Sequence, residues 1–73
     1  MGIQMKISAR NQLKGTVKMI KKGPVNTEVV VALPGGHEIV SIITTHSAES
    51  MKLREGMGVY ALMKATEVLI GTD

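Results

Sequence analysis

The sequence predicts an all-β fold, a five-stranded OB-like barrel with one short helix between strands 3 and 4. Three observations lead there. Apolar and polar residues alternate with a period of two through most of the chain. Turns rich in glycine and proline interrupt that alternation at residues 23–24 and 34–36. Residues 47–52 break the period with a capping pattern that suits a helix. The strand pattern taken alone also admits an SH3-like barrel.

Residues 1–6 read as a loose arm or a short edge strand. From Leu13 the chain alternates, with Leu13, Gly15, Val17 and Met19 on one face and Lys14, Thr16 and Lys18 on the other. Lys22-Gly23-Pro24 ends this first strand, because Pro24 cannot donate to a ladder. The second strand covers residues 25–33, with Val25, Thr27, Val29, Val31 and Leu33 on one face. Pro34-Gly35-Gly36 is a hairpin signal. The third strand, residues 37–45, is apolar on both faces, with Ile39 and Ile43 opposed to Val40 and Ile42. One small sheet cannot bury both faces of a strand, so the second face is a candidate subunit interface.

Ser47 suits a helix N-cap, Glu49 the first turn and Lys52 the last, with closure near Gly56. A fourth strand, residues 57–64, is again two-faced, with Val59, Ala61 and Met63 opposed to Tyr60 and Leu62. Residues 68–70 form a short fifth strand and residues 71–73 a frayed tail. Repeats and low-complexity segments are absent, so the chain reads as one domain over residues 1–73.

Composition sets limits on the rest. A 73-residue chain folding alone buries only about 60% of its unfolded surface. It has no cysteine, so neither disulfides nor thiolate-bound metal can add stability. Tyr60 is the single aromatic residue, which leaves Val, Ile, Leu and six Met to build the core. Oligomerisation is the remaining stabiliser. The apolar runs are too short to span a membrane and no stretch resembles a signal peptide, so the expected location is cytoplasmic. The net charge of +3 mildly favours anions. Its distribution says more: Lys6, Arg10, Lys14, Lys18, Lys21 and Lys22 fall in the first 22 residues, where there is no acid.

Within that third lies Ser8-Ala9-Arg10-Asn11-Gln12-Leu13-Lys14-Gly15, which combines hydroxyl, guanidinium, amide and ammonium donors and no carboxylate. A donor-rich, acid-free segment suits an electron-rich partner, of which a small oxyanion is the simplest. A solvated N-terminal arm satisfies the same chemistry equally well.

The octapeptide resembles the opening signature of the molbindins, the small molybdenum-pterin-binding (Mop) proteins. Gly35-Gly36, Ser41-Ile42-Ile43-Thr44 through Ser47, and Lys64-Ala65-Thr66-Glu67-Val68 extend the resemblance to the TOBE domain over nearly the whole chain. It implies a homohexamer, a trimer of dimers, that binds molybdate or tungstate as an oxyanion, with no metal ion directly ligated. It implies two kinds of site. Between paired subunits, Ser8, Ala9 and Arg10 of one chain would meet Lys64, Ala65 and Thr66 of another. The second kind, on the three-fold axes, is assigned to the region from Ser41 through Ile43, Thr44 and Thr45, with His46 added because it precedes the expected helix cap. A dianion bound there would favour a protonated imidazole. Two residues depart from the pattern: Ala65 stands where some relatives carry Ser, and Pro24 where relatives often have Val.

A tetrahedral dianion has four acceptor oxygens and nothing to donate, so a site for it should be lined by donors. Placing it between chains couples binding to assembly. A nucleic-acid barrel would need aromatic platforms in its basic groove, and the cationic third has none. A catalytic metal would need clustered ligands, yet His37 and His46 are separated and only Glu38 adjoins one of them. Ser47 and Ser50 lack a base partner, so no enzyme is expected. The remaining alternative is a structural oligomerisation module that has lost ligand binding, with Lys64 reaching to water and Arg10 paired with Glu67 or Asp73. The expected role is intracellular storage or buffering of the oxyanion.

Overall fold

The structure is a computed structural model that describes residues 6–73. The arm or edge strand expected over residues 1–6 therefore lies, Lys6 apart, outside the described residues. Strands β1 (Asn11–Lys22), β2 (Asn26–Ala32), β3 (Glu38–Thr44) and β4 (Gly58–Met63) form one antiparallel sheet in the order β3-β2-β1-β4. Helix α1 (Thr45–Ser50) joins β3 to β4, and a 3₁₀ turn (Ala65–Glu67) follows β4.

The twelve residues of β1 hold the sheet together. Its first half pairs with β4, from Asn11 opposite Met63 to Thr16 opposite Gly58. Its second half pairs with β2, from Thr16 opposite Ala32 to Lys22 opposite Thr27. A strand shared in this way must bend, and the register slips between Val17 and Met19. Lys18 is the extra residue of that bulge, so the side-chain alternation changes phase. Val17 is buried and Ile20 packs on the core, whereas Met19 is 41% exposed. The expectation that Met19 shares a face with Val17 fails for this reason. Around the bulge, the Val17 N–H donates to the Met57 carbonyl (2.9 Å), and the Gly56 N–H donates to the Val17 carbonyl (2.8 Å).

The core is aliphatic. Val17, Val29 and Val31 are its centre, and Ile20, Leu33, Ile39, Ile43, Leu53, Met57 and Val59 pack against it. Gly15 sits where strands nearly touch: a Cβ there would meet the Ala32 carbonyl oxygen and Val31 Cγ1, both at 2.6 Å. In the β2–β3 hairpin, Gly35 and Gly36 both have φ +90°, a conformation that L side chains resist. Val25, expected on the inner face of β2, precedes that strand and is exposed. The two-faced character of β3 and β4 holds: Val40, Ile42, Tyr60 and Leu62 project outward.

Three expectations need correction. The N-cap of α1 is Thr44, not Ser47; its hydroxyl accepts the Ser47 N–H at 3.0 Å. Thr44 and Ser47 are both competent caps three residues apart, and the chain turns at the earlier one. The helix therefore closes before Gly56, at Lys52, which adopts φ +55°. The Lys52 N–H donates to the Glu49 carbonyl (3.0 Å) and the Leu53 N–H to the Ala48 carbonyl (3.1 Å). That bond pattern sends Leu53 back onto the core. Glu49 accordingly sits in the last turn, not the first, and Lys52 lies beyond the helix.

The fifth strand is the third correction. Val68 has extended dihedrals, but residues 68–70 pair with no strand among the described residues. Leu69 and Ile70 are each 91% exposed. Alternation establishes that a segment can be a strand; only a free edge beside it makes it one. The edges here, β3 and β4, flank an open apolar groove of about 360 Å³ lined by residues such as Val31, Ile39, Ile43, Leu53 and Val59. The fold remains OB-like in class, with four strands in the sheet.

Candidate functional site

The β1–β4 ladder determines what meets at one end of the sheet. Asn11 opposite Met63 is its last pair, so Arg10 and Lys64 leave it side by side. The segments that carry Ser8, Ala9 and Arg10 and Lys64, Ala65 and Thr66, more than fifty positions apart in sequence, thus leave the same end of the β1–β4 ladder. All six are exposed except Ala9, which is half-buried. Two ion pairs exist among the described residues, Lys18–Glu38 and Lys22–Glu49, and neither includes Arg10 or Lys64. Two neighbouring cations thus stand without a carboxylate partner; Glu67 and Asp73 do not supply one.

Backbone donors add to this end. Lys64 caps the 3₁₀ turn, and its carbonyl accepts the Glu67 N–H at 2.8 Å. That bond is the first of the turn, so the Ala65 and Thr66 N–H groups find no acceptor within it. Ala65, which lacks a hydroxyl, has this N–H alone to offer. On the other segment, the Gln12 side chain donates from Nε2 to the Ala9 carbonyl at 2.6 Å.

The second group, at the junction of β3 and α1, is built differently. Ser41 and Ile43 face the apolar groove. The Thr44 hydroxyl donates to Ser47 Oγ (2.8 Å) while it accepts the Ser47 N–H. Thr45 is buried; its N–H donates to the Val25 carbonyl (2.8 Å) and its hydroxyl to the Gly23 carbonyl (2.7 Å). Because that proton is engaged, the Thr27 hydroxyl, 2.8 Å away, must donate to Thr45. Thr45 therefore has no donor left for a ligand. His46 is exposed in the first turn of α1. One chain does not converge these five residues on a single point.

Across the same junction, Lys22 pairs with Glu49. The hydrogen bond from the Lys22 ammonium, and next its charge, hold the Glu49 carboxyl below the ordinary carboxylate range. The sequence reading named Gln12 among the donors and Thr27 on an apolar face but missed the partner of each, and it missed this ion pair. Thr27 carried a signal, a hydroxyl on the apolar face of its strand, which asks for a buried partner. Among the described residues, no group of three or more His, Cys, Asp or Glu could hold a metal ion. No helix there is long and apolar enough to cross a membrane.

Comparison with known proteins identifies the family. The TOBE domain family matches residues 7–70. Molybdenum-pterin-binding protein 2 of Clostridium pasteurianum is 50% identical over 66 residues, covering 90% of this chain and 97% of the relative. The solved structure of MopII from C. pasteurianum superposes with a TM-score of 0.88 at 48% identity, covering 92% of this chain and all of that one. A molybdate-binding protein from Sporomusa ovata gives a TM-score of 0.87 at 44% identity, covering 93% and 100%. These relatives are named for binding, not for a reaction. With a sheet of the same shape and a matching sequence over nearly its full length, the chain belongs to the molybdenum-pterin-binding (Mop, molbindin) family of TOBE-domain proteins.

Proposed function

We propose that this single-domain protein binds molybdate or tungstate, as the intact oxyanion, at the donor-rich end of β1 and β4, and that it stores or buffers the anion in the cytoplasm. The observation that carries the reading is the adjacency of Arg10 and Lys64, two cations beside the last ladder pair with no carboxylate partner among the described residues. Like charges held together at a strand end are relieved by an anion, and a dianion offsets both. The Ser8 and Thr66 hydroxyls and the backbone N–H groups of Ala9, Arg10, Ala65 and Thr66 complete a donor-rich set suited to a ligand whose oxygens only accept. The relative from Sporomusa ovata is named for molybdate, which is such a ligand, and the relative from Clostridium pasteurianum for a molybdenum-pterin, which shares the metal.

The reading places this site between paired subunits of a homohexamer, a trimer of dimers, with Ser8, Ala9 and Arg10 of one chain meeting Lys64, Ala65 and Thr66 of another; the shared strand end within each chain gives every subunit both halves of the donor set. Exposed Val40, Ile42, Leu69 and Ile70 supply apolar surface for such assembly. It assigns the second kind of site, on the three-fold axes, to Ser41, Ile43, Thr44 and His46, with Thr45 as a buried support. Calorimetric titration of the ligand-free protein with molybdate, tungstate and sulfate tests it, together with the mass in solution. The expected outcome is a mass near six chains and tight binding of the first two anions over sulfate. A stable monomer, or no binding of either oxyanion, defeats it.

One alternative has an observation of its own. The exposed apolar surface would by itself justify a structural oligomerisation module without a ligand. The same titration separates the two: that module assembles and binds nothing.

A further inference from the structure

Residues 6–10 precede β1 without regular structure. Among the described residues, the one hydrogen bond that ties this segment down outside the strand ladders is the bond from Gln12 to the Ala9 carbonyl. Gln12 is exposed, so burial does not force the contact. An exposed glutamine is well solvated by water, and holding it in one rotamer costs side-chain entropy. Lys14 and Thr16, the next residues on the same face of β1, make no such return to the backbone.

The consequence follows from peptide geometry. The Ala9 carbonyl and the Arg10 N–H belong to one planar trans peptide and point in opposite directions. Fixing the carbonyl toward Gln12 turns the Arg10 N–H to the other side. It also occupies an acceptor whose lone pairs would repel an oxyanion. No backbone acceptor outside the ladder takes the Arg10 N–H among the described residues.

We infer that Gln12 is a positioning residue of the oxyanion site, aiming the Arg10 backbone N–H at the ligand through its hold on the Ala9 carbonyl. The inference rests on the oxyanion-binding reading above. It assigns Gln12 no contact with the anion. It also requires an amide at position 12: a carboxylate cannot donate to Ala9 at neutral pH and would bring negative charge beside the site.

The test uses the assembled, ¹⁵N-labelled full chain titrated with sodium molybdate. It compares wild type with Gln12→Met, which keeps the length without the donor, and Gln12→Asn, which keeps the amide but falls a methylene short. Both variants should weaken molybdate binding by about five- to tenfold, the effect of losing one hydrogen bond. Assembled mass and ligand-free melting temperature should stay as in wild type. The Arg10 amide resonance should respond to molybdate strongly in wild type and less than half as much in the variants, a change that a merely structural role would not cause. Gln12→Glu should bind more weakly than either. If Gln12→Met fails to assemble, Gln12→Asn carries the comparison. A wild type that binds while the assembled variants bind equally well, with the same Arg10 response, overturns the inference alone. A wild type that binds neither molybdate nor tungstate overturns the reading beneath it as well.

Discussion

The two donor-rich regions of this chain look alike in sequence and differ in what they do with their donors. At the β3–α1 junction, Thr44 and Thr45 use their protons internally, on Ser47 and on the Gly23 carbonyl. At the β1–β4 end, Arg10 and Lys64 have no acidic partner among the described residues. A hydroxyl or amine indicates a binding site only when the fold leaves it unoccupied, and a count of donors along the chain does not reveal that. In the proposed reading the strand end is the principal receptor, whereas Thr45 at the junction has both its donors committed to fixing the start of α1.

The largest effect expected from this contrast is on Lys64. Hydrogen bonds from charged donors contribute about 1.5–3 kcal/mol each, so Lys64→Ala should weaken molybdate binding by about ten- to a hundredfold. Its folding stability should change little, since the side chain is exposed. Arg10→Ala should lie at the lower end of that range, because the Arg10 backbone N–H survives the substitution. Calorimetry on both variants at matched chain concentration reads the effect. Wild-type affinity in both would return the strand end to ordinary solvated surface.

The complementary substitution is Thr45→Val. It removes a buried hydroxyl that bonds Gly23 and leaves the Thr27 hydroxyl, only 1% exposed, without its partner. The expected loss is about 1–3 kcal/mol of stability in urea unfolding at fixed chain concentration. Affinity at the Arg10–Lys64 site should hold. If the affinity falls with Thr45 instead, the two regions are coupled and the contrast breaks. Thr44→Ala is the milder version: losing the N-cap should cost about 1 kcal/mol, whereas Ser47→Ala should cost less because Ser47 is not the cap.

These cases also show which features the sequence makes legible. Strands and hairpins were readable because alternation and turn chemistry are local. The bulge was not, since Lys18 is an unremarkable exposed lysine and the slip arises from β1 serving two partners. Thr44 and Ser47 offered equivalent caps, and the backbone geometry at Thr44, φ −68° and ψ 146°, decided between them. Residues 68–70 had the composition of a strand, but they pair with no strand among the described residues. The site divides in the same way. Its donor types were visible in both segments, and the family resemblance joined them. Their adjacency within one chain depends on the Asn11–Met63 register, which is a long-range property. Gln12 was visible as an amide donor, but nothing in its neighbours says that it folds back on Ala9.

The smallest expected effect concerns Lys22–Glu49, which ties the end of β1 to α1 and so belongs to the junction. Lys22, through its hydrogen bond and then its charge, lowers the Glu49 carboxyl below its ordinary range. The unfolded chain then binds more protons than the folded one as the medium passes through the carboxylate range. The pair's contribution is therefore fully present above the ordinary carboxylate value of about 4.3 and is lost as pH falls through the lowered folded value. Both side chains are largely exposed, so solvent and salt screen the interaction and the effect is slight. Urea midpoints of wild type and Glu49→Gln should differ a little at pH 6 in low salt. They should draw together as the pH is lowered through the carboxylate range and again at pH 6 in 1 M salt. Molybdate affinity at the strand end should be the same in both proteins. A midpoint gap that widens on acidification would have the wrong sign for this pair. A loss of affinity in Glu49→Gln would mean that the junction and the receptor are not separate devices.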